Sequence, residues 1–171
     1  IRKQYGKDFV SLMPTNLYGP NDNFDLKTSH VLPAMIRKFH EAKLKYEKTG
    51  VSEPVELWGS GSPKREFLYV EDLAQAVVFA LENTLEENLY NVGTGVDLSI
   101  KELAEKIQKA VGHKGKIVWD ASKPDGTPRK LMDISKLHNQ GWEHKIDLDE
   151  GIALTYNWFL ENIEEIKEVK L

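Results

Sequence analysis

Short apolar runs and helical repeats of apolar residues take turns along this chain of 171 residues. The runs at Phe9–Met13, Val55–Trp58, Phe67–Val70, Leu89–Val92 and Ile117–Trp119 are too short for helices and predict strands, the first closed by Pro14. Between them apolar residues recur three or four apart, which predicts helices with one buried face. One such face holds Val31, Met35, Phe39 and Ala42, a second Leu73, Ala74, Val77, Val78 and Leu81, and a third Ile152, Tyr156, Phe159 and Ile163.

End signals sharpen the pattern. Ser29 suits an N-cap with Pro33 in the first turns, and Asp72 falls near another N-cap. Ser99 with Glu102, and Asp147 with Glu150, have capping-box spacing; Gly112 stops the helix that Ser99 starts. A short helix from Asp133 is expected to stop near Gly141, and Ile1–Gly6 reads as the tail of a helix ended by glycine. Residues 41–52 are mostly polar, an exposed helix end and loop. Residues 15–28 and 121–130 are turn-rich loops without apolar periodicity. Strands alternating with helices, and joined by glycine-rich connections, predict an α/β layer architecture with parallel pairing and ligands at the strand carboxyl ends.

Composition narrows the function classes. With 23 basic and 27 acidic residues the net charge is −4, which argues against a nucleic-acid-binding face. The absence of cysteine excludes disulfides, zinc-thiolate sites and a cysteine nucleophile within these residues. No apolar run approaches the roughly 20 residues of a membrane span, so no membrane partner and a cytosolic setting are expected. The chain reads as the C-terminal part of something longer.

Candidate chemistry gathers in three places. Residues 13–24, M-P-T-N-L-Y-G-P-N-D-N-F, carry backbone groups and the Asn16 amide at the end of a strand; they could grip a carboxamide and a sugar, or form a plain turn cluster. His30 follows at a helix start, where the dipole disfavours its charged form and suits it to acid/base work, although it could simply brace the loop. Residues 58–72, W-G-S-G-S-P-K-R-E-F-L-Y-V-E-D, form the second place: glycines that permit close backbone approach beside Lys64 and Arg65, which suit phosphate recognition or a solvated hairpin. The third is A-S-K-P-D-G-T-P-R-K at 121–130, with Arg129, Lys130 and an Asp125 that either closes its turn or accepts hydrogen bonds from a ligand. Lys38 and these cations together could serve a diphosphate. Trp58 is a strand-end core residue or a flank of the ligand. His40, His113, His138 and His144 show no metal-ligand spacing and read as surface residues; no metal site is expected. Gly93-Thr94-Gly95 lacks the third glycine of a phosphate loop and reads as a packing turn.

R-E-F-L-Y-V-E-D resembles the R-D-F-x-Y-V-x-D signature of the extended short-chain dehydrogenase/reductases, and N-L-Y-G-P resembles their N-x-Y-G-P element. Together with S-H-V-L-P-A, W-G-S-G-S-P-K-R-E-F and the narrower D-A-S-K-P-D-G-T-P-R-K, the resemblance runs from about Tyr5 to Phe159 and points to members that act on GDP-sugars. It implies the tail of a doubly wound parallel (Rossmann) sheet in residues 1–28, a smaller α/β substrate-binding domain in 29–171, and 66–94 packing back on the first part. The implied reaction is 3,5-epimerisation and NADPH-dependent 4-reduction of GDP-4-keto-6-deoxy-D-mannose to GDP-L-fucose by a homodimer. Pro14, Thr15, Asn16, Leu17 and His30 would meet NADP, His30 would be the general acid, and Lys38, Trp58, Arg65 and Asp125 would hold the GDP-sugar. The family's Gly-rich turn, Ser, Cys and Tyr-x-x-x-Lys have no counterpart here and are expected before Ile1, so these residues alone should not transfer hydride. Another nucleotide-sugar epimerase or dehydratase, or a non-catalytic reductase-like binding subunit, stays open as an alternative.

Overall fold

The computed structural model describes residues 1–166; the last five residues of the expected substrate-binding domain lie outside them. In chain order the elements are α1 (Arg2–Tyr5), β1 (Ser11–Pro14), β2 (Asn16–Tyr18), α2 (Val31–Thr49), β3 (Val55–Trp58), β4 (Lys64–Tyr69), α3 (Val70–Glu82), β5 (Leu89–Val92), β6 (Asp97–Ser99), α4 (Ile100–Val111), β7 (Ile117–Asp120), β8 (Arg129–Lys130), α5 (Ser135–His138) and α6 (Leu148–Asn162). The protein is α/β with mainly parallel pairing: β1 runs with β5, β3 with β7, and β2 and β8 with β4, while β6 lies antiparallel to β4.

Strand β4 is the shared wall of two apolar cores. Successive strand side chains point to opposite faces. Phe67 and Tyr69 therefore join α2, α4 and α6 through Phe39, Ile107, Ile152 and Phe159. Leu68, between them, joins Ala76, Leu85, Tyr90, Val92, Leu137 and Trp142 on the other side.

Several local expectations hold in detail. Gly6 and Gly112 close their helices with left-handed backbone, and Ser99 and Glu102 complete a reciprocal capping box. Asp147 accepts from the Glu150 N–H at 2.9 Å, one half of the box its spacing suggested.

Other expectations need correcting. His30, not Ser29, occupies the N-cap of α2, and the Ser29 hydroxyl is buried without a partner among the described residues. The buried stripe of α2 is Leu32, Met35, Ile36, Phe39 and His40, so Met35 and Phe39 of the expected face are buried and Ala42 packs against the core, while Val31 lies outside and Leu32, Ile36 and His40 join the stripe. His40 and His113 are core residues rather than surface ones: the His40 Nδ1 lies 3.0 Å from the Tyr156 hydroxyl, and the His113 ring packs on Phe39. Asp72 does lie near the N-cap of α3, in its first turn, but it caps no helix: it holds Lys145 and Ile146 by their backbone N–H groups at 2.9 and 3.1 Å. In the same helix Ala76 faces inward, while Val77, Val78 and Leu81 are exposed, because no described element covers that side. Ile163, expected on the buried face of α6, lies exposed just beyond it.

Candidate functional site

The parallel register of β2 and β4 places the carboxyl ends of both strands beside one another, Asn16 opposite Phe67 and Tyr18 opposite Tyr69. Above them opens a cavity of about 730 Å³, between the β2–α2 loop, the start of α2, the glycine loop after β3 and the loop after β7. Thr15, Asn16, Leu17, His30, Trp58, Arg65 and Asp125 all line it. Pro14 and Lys38 do not. Pro14 is paired to Val92 in the β1–β5 sheet, and the Lys38 ammonium stands 5.9 Å from the Trp58 ring centre while donating to the Glu56 carbonyl at 3.0 Å.

At the floor, Asn16 donates its amide to the Glu66 carbonyl at 2.7 Å, and the Thr15 hydroxyl donates to the same oxygen at 3.3 Å. Glu66 is fully buried. Its Oε1 accepts from the Thr94 and Gly95 N–H groups at 2.6 and 2.8 Å, and its Oε2 from the Met132 N–H at 3.1 Å. The glycine turn at 93–95 is thus an anion nest filled by the protein's own carboxylate, which accords with reading it as a packing turn.

Arg65 lies half-buried on the wall. Its Nη1 donates to the Lys64 and Thr127 carbonyls at 2.7 and 2.6 Å. Gly126 lies close beside it, where a Cβ would sit 2.9 Å from Nη2. Asp125 neither closes its own turn nor stands free. It bridges to the glycine loop, accepting from the Ser60 N–H at 2.8 Å and the Ser60 hydroxyl at 2.6 Å, and these bonds hold its carboxyl below the ordinary range. Gly59, at φ +81°, gives that carboxylate room, since a Cβ would collide with it.

The larger cation cluster expected from two loops does not form around the cavity. Arg129 instead pairs with Asp97, and neither Lys64 nor Lys130 lines the cavity. Arg65 is the cation on the wall, with Lys38 at the rim.

Two further groups stand at the cavity that no sequence motif marks. Asp22 lines the cavity with one carboxylate oxygen buried and unpartnered among the described residues, and burial raises its pKa against the opposing effects of the Asn23 N–H bond and then of His30. Lys123 stands 5.5 Å from the Trp58 ring centre. Asp22 was hidden in an Asn/Asp turn cluster; the register Trp58 opposite Asp120, which brings Lys123 near, is not visible in sequence.

The sequence profile of the NAD dependent epimerase/dehydratase family matches residues 1–93, more than half of the chain. The chain belongs to this epimerase/dehydratase family. Among its relatives, GDP-L-fucose synthase of Escherichia coli (strain K12) is 53% identical over 175 residues, covering 96% of this chain and 53% of that protein. GDP-L-fucose synthase 1 of Arabidopsis thaliana is 53% identical over 162 residues, 95% of this chain and 49% of that one. The family member of known structure titled a GDP-L-fucose synthetase from Naegleria fowleri bound to NADP superposes with a TM-score of 0.82 at 32% identity, covering 97% of this chain and 52% of that one. The chain therefore spans about half the length of the epimerase/dehydratase relatives it matches. Among its described residues no helix is long and apolar enough to cross a membrane.

Proposed function

We propose that this chain forms the GDP-sugar side of an enzyme that converts GDP-4-keto-6-deoxy-D-mannose to GDP-L-fucose, by epimerising C3 and C5 and reducing C4 at the expense of NADPH. The observation that carries the reading is the single cavity in which Asn16, His30, Trp58, Arg65 and Asp125, from β2, the N-cap of α2, β3, β4 and the loop after β7, come together in a chain 53% identical to GDP-L-fucose synthases.

Arg65 is the diphosphate ligand, because a guanidinium with Nη1 fixed by two carbonyls presents its remaining donors in a set geometry. Trp58 offers an exposed aromatic face at the strand end, and Asp125 fixes the glycine loop that walls the nucleotide. His30 is the general acid of epimerisation. Its exposed ring at the mouth of α2 is free to exchange protons with the sugar, whose 4-keto group acidifies the C3–H and C5–H bonds. Thr15, Asn16 and Leu17 suit the nicotinamide end of NADP: all three line the cavity, and the hydrogen bonds of Thr15 and Asn16 to the Glu66 carbonyl fix the strand end that faces it. When bound, NADPH supplies the hydride for C4. No Tyr-x-x-x-Lys occurs in this sequence, so on this reading hydride transfer draws on residues outside it. Residues 1–28 then belong to the cofactor-binding part and 29–171 mainly to the sugar-nucleotide part, with 66–94 between them, and the working assembly is a homodimer.

The test is product analysis. The protein that carries this chain, given GDP-4-keto-6-deoxy-D-mannose and NADPH, should yield GDP-L-fucose by NMR. His30→Gln should slow solvent deuterium exchange at C3 and C5 by about 10²–10⁴-fold while GDP affinity is kept. Wild-type exchange in the variant would reduce His30 to a loop brace.

A further inference from the structure

We propose that Lys123 is a further binding residue for the diphosphate of the sugar nucleotide, acting with Lys38 beside Trp58 at the cavity mouth. The inference rests on the GDP-sugar reading above and adds a residue to it. Trp58 ends β3 and remains 67% exposed although it lines the cavity. Two ammonium groups from different elements reach its ring: Lys38 of α2 at 5.9 Å from the ring centre, and Lys123 of the loop after β7 at 5.5 Å.

The backbone explains why Lys123 is there. Trp58 pairs with Asp120 at the ends of β3 and β7, so the loop leaves the sheet directly beside the indole. The Lys123 N–H donates to the Asp120 carbonyl at 3.2 Å and turns the chain toward Pro124, Asp125 and Gly126, all three of which line the cavity. The Asp120 carboxylate attracts the lysine at a distance but makes no direct ion pair with it, its hydrogen bonds coming from the Ser122 N–H and hydroxyl at 3.0 and 2.6 Å. Among the described residues the Lys123 ammonium has no hydrogen-bond or ion-pair partner. Lys38 spends one donor on the Glu56 carbonyl and keeps two.

Two like charges held at one aromatic ring repel each other, and an exposed cation–π contact offers only a weak reason to keep either. A ligand of about two negative charges removes the repulsion and gives both ammonium groups partners, and the diphosphate of a nucleotide sugar carries that charge. Arg65 on the wall would then grip the phosphates in a fixed fork while the two lysines act as mobile point charges at the entrance.

The experiment is a calorimetric titration of GDP into the protein that carries this chain and its variants Lys123→Gln, Lys123→Arg, Arg65→Ala and Lys109→Gln. Lys109 is an exposed lysine of α4 that does not line the cavity and serves as the charge control. Lys123→Gln should weaken GDP about three- to tenfold, Lys123→Arg should keep most of the affinity, and Lys109→Gln should change nothing. Equal losses in Lys123→Gln and Lys109→Gln would reduce the effect to net charge and overturn the proposal. Unchanged binding in Lys123→Gln, with binding lost in Arg65→Ala, would overturn it while leaving the GDP-sugar reading intact. A wild-type protein that does not bind GDP would overturn both.

Discussion

Replacing Glu66 by glutamine changes one atom of a buried carboxylate that ties three segments together. Its Oε1 accepts two backbone N–H bonds from the 94–95 turn, and its Oε2 accepts one from Met132 at the end of the loop that walls the cavity. Glutamine can leave its oxygen on the paired N–H groups, but its NH₂ then faces the Met132 N–H, donor against donor. A buried donor left unsatisfied costs about 1–3 kcal/mol, and the two surviving bonds weaken on losing the charge. Relief of the carboxylate's own desolvation offsets part of this. The net expectation is a loss of about 1.5–3 kcal/mol for Glu66→Gln, with Glu66→Ala worse because all three donors are orphaned. With a urea slope of roughly 2 kcal/mol/M, the midpoint should fall by about 1 M. Amide exchange should accelerate most at Thr94, Gly95 and Met132. A Glu66→Gln protein with the wild-type midpoint and unchanged exchange at those amides would refute the argument.

Asp125→Ala should free the latch between the two loops, because it removes both acceptors of Ser60, so that the Ser60 amide exchanges about tenfold faster or more while the core amides keep their protection; unaltered Ser60 protection would show the latch to be incidental. His40 and His113 predict acid sensitivity, since burial holds both rings below their ordinary pKa. The unfolded chain takes up protons that the folded chain refuses once pH drops below about 6.5, so stability should be level above that point and decline below it, by at most about 1.4 kcal/mol per pH unit for each ring. His40→Asn should flatten the decline measured by thermal melts between pH 7 and 5, and an equally steep decline would return His40 to the surface role its sequence context suggested.

Local rules made much of this architecture legible. Gly6, Gly112 and the Ser99–Glu102 box act within a few residues, so sequence spacing suffices to read them. The strand at Leu89–Val92 was equally plain, because an apolar run of four residues between turn signals has few other folds available. The motif residues Asn16, His30, Trp58, Arg65 and Asp125 could be read as a set from the resemblance, and they line one cavity.

What was not legible depended on partners far along the chain. Whether His40 faces water is decided by Tyr156, which lies 116 residues away. The outward placement of Val77, Val78 and Leu81 follows from which elements pack on α3, a property no periodicity contains. Asp125 was expected to serve its own turn or a ligand, yet Ser60, 65 residues earlier, claims it. Arg129 was counted with the cavity's cations until β8 set it beside Asp97.

The central claim, that this cavity receives a GDP-sugar through Arg65, is tested most directly by titrating GDP into the wild-type protein that carries this chain and its Arg65→Ala variant under identical salt. Losing a charge-assisted phosphate contact costs about 1.5–3 kcal/mol, so the variant should bind roughly ten- to a hundredfold more weakly while its unfolding midpoint stays close to wild type. Equal affinity in the two proteins would contradict the claim and leave Arg65 as a brace for the Thr127 carbonyl.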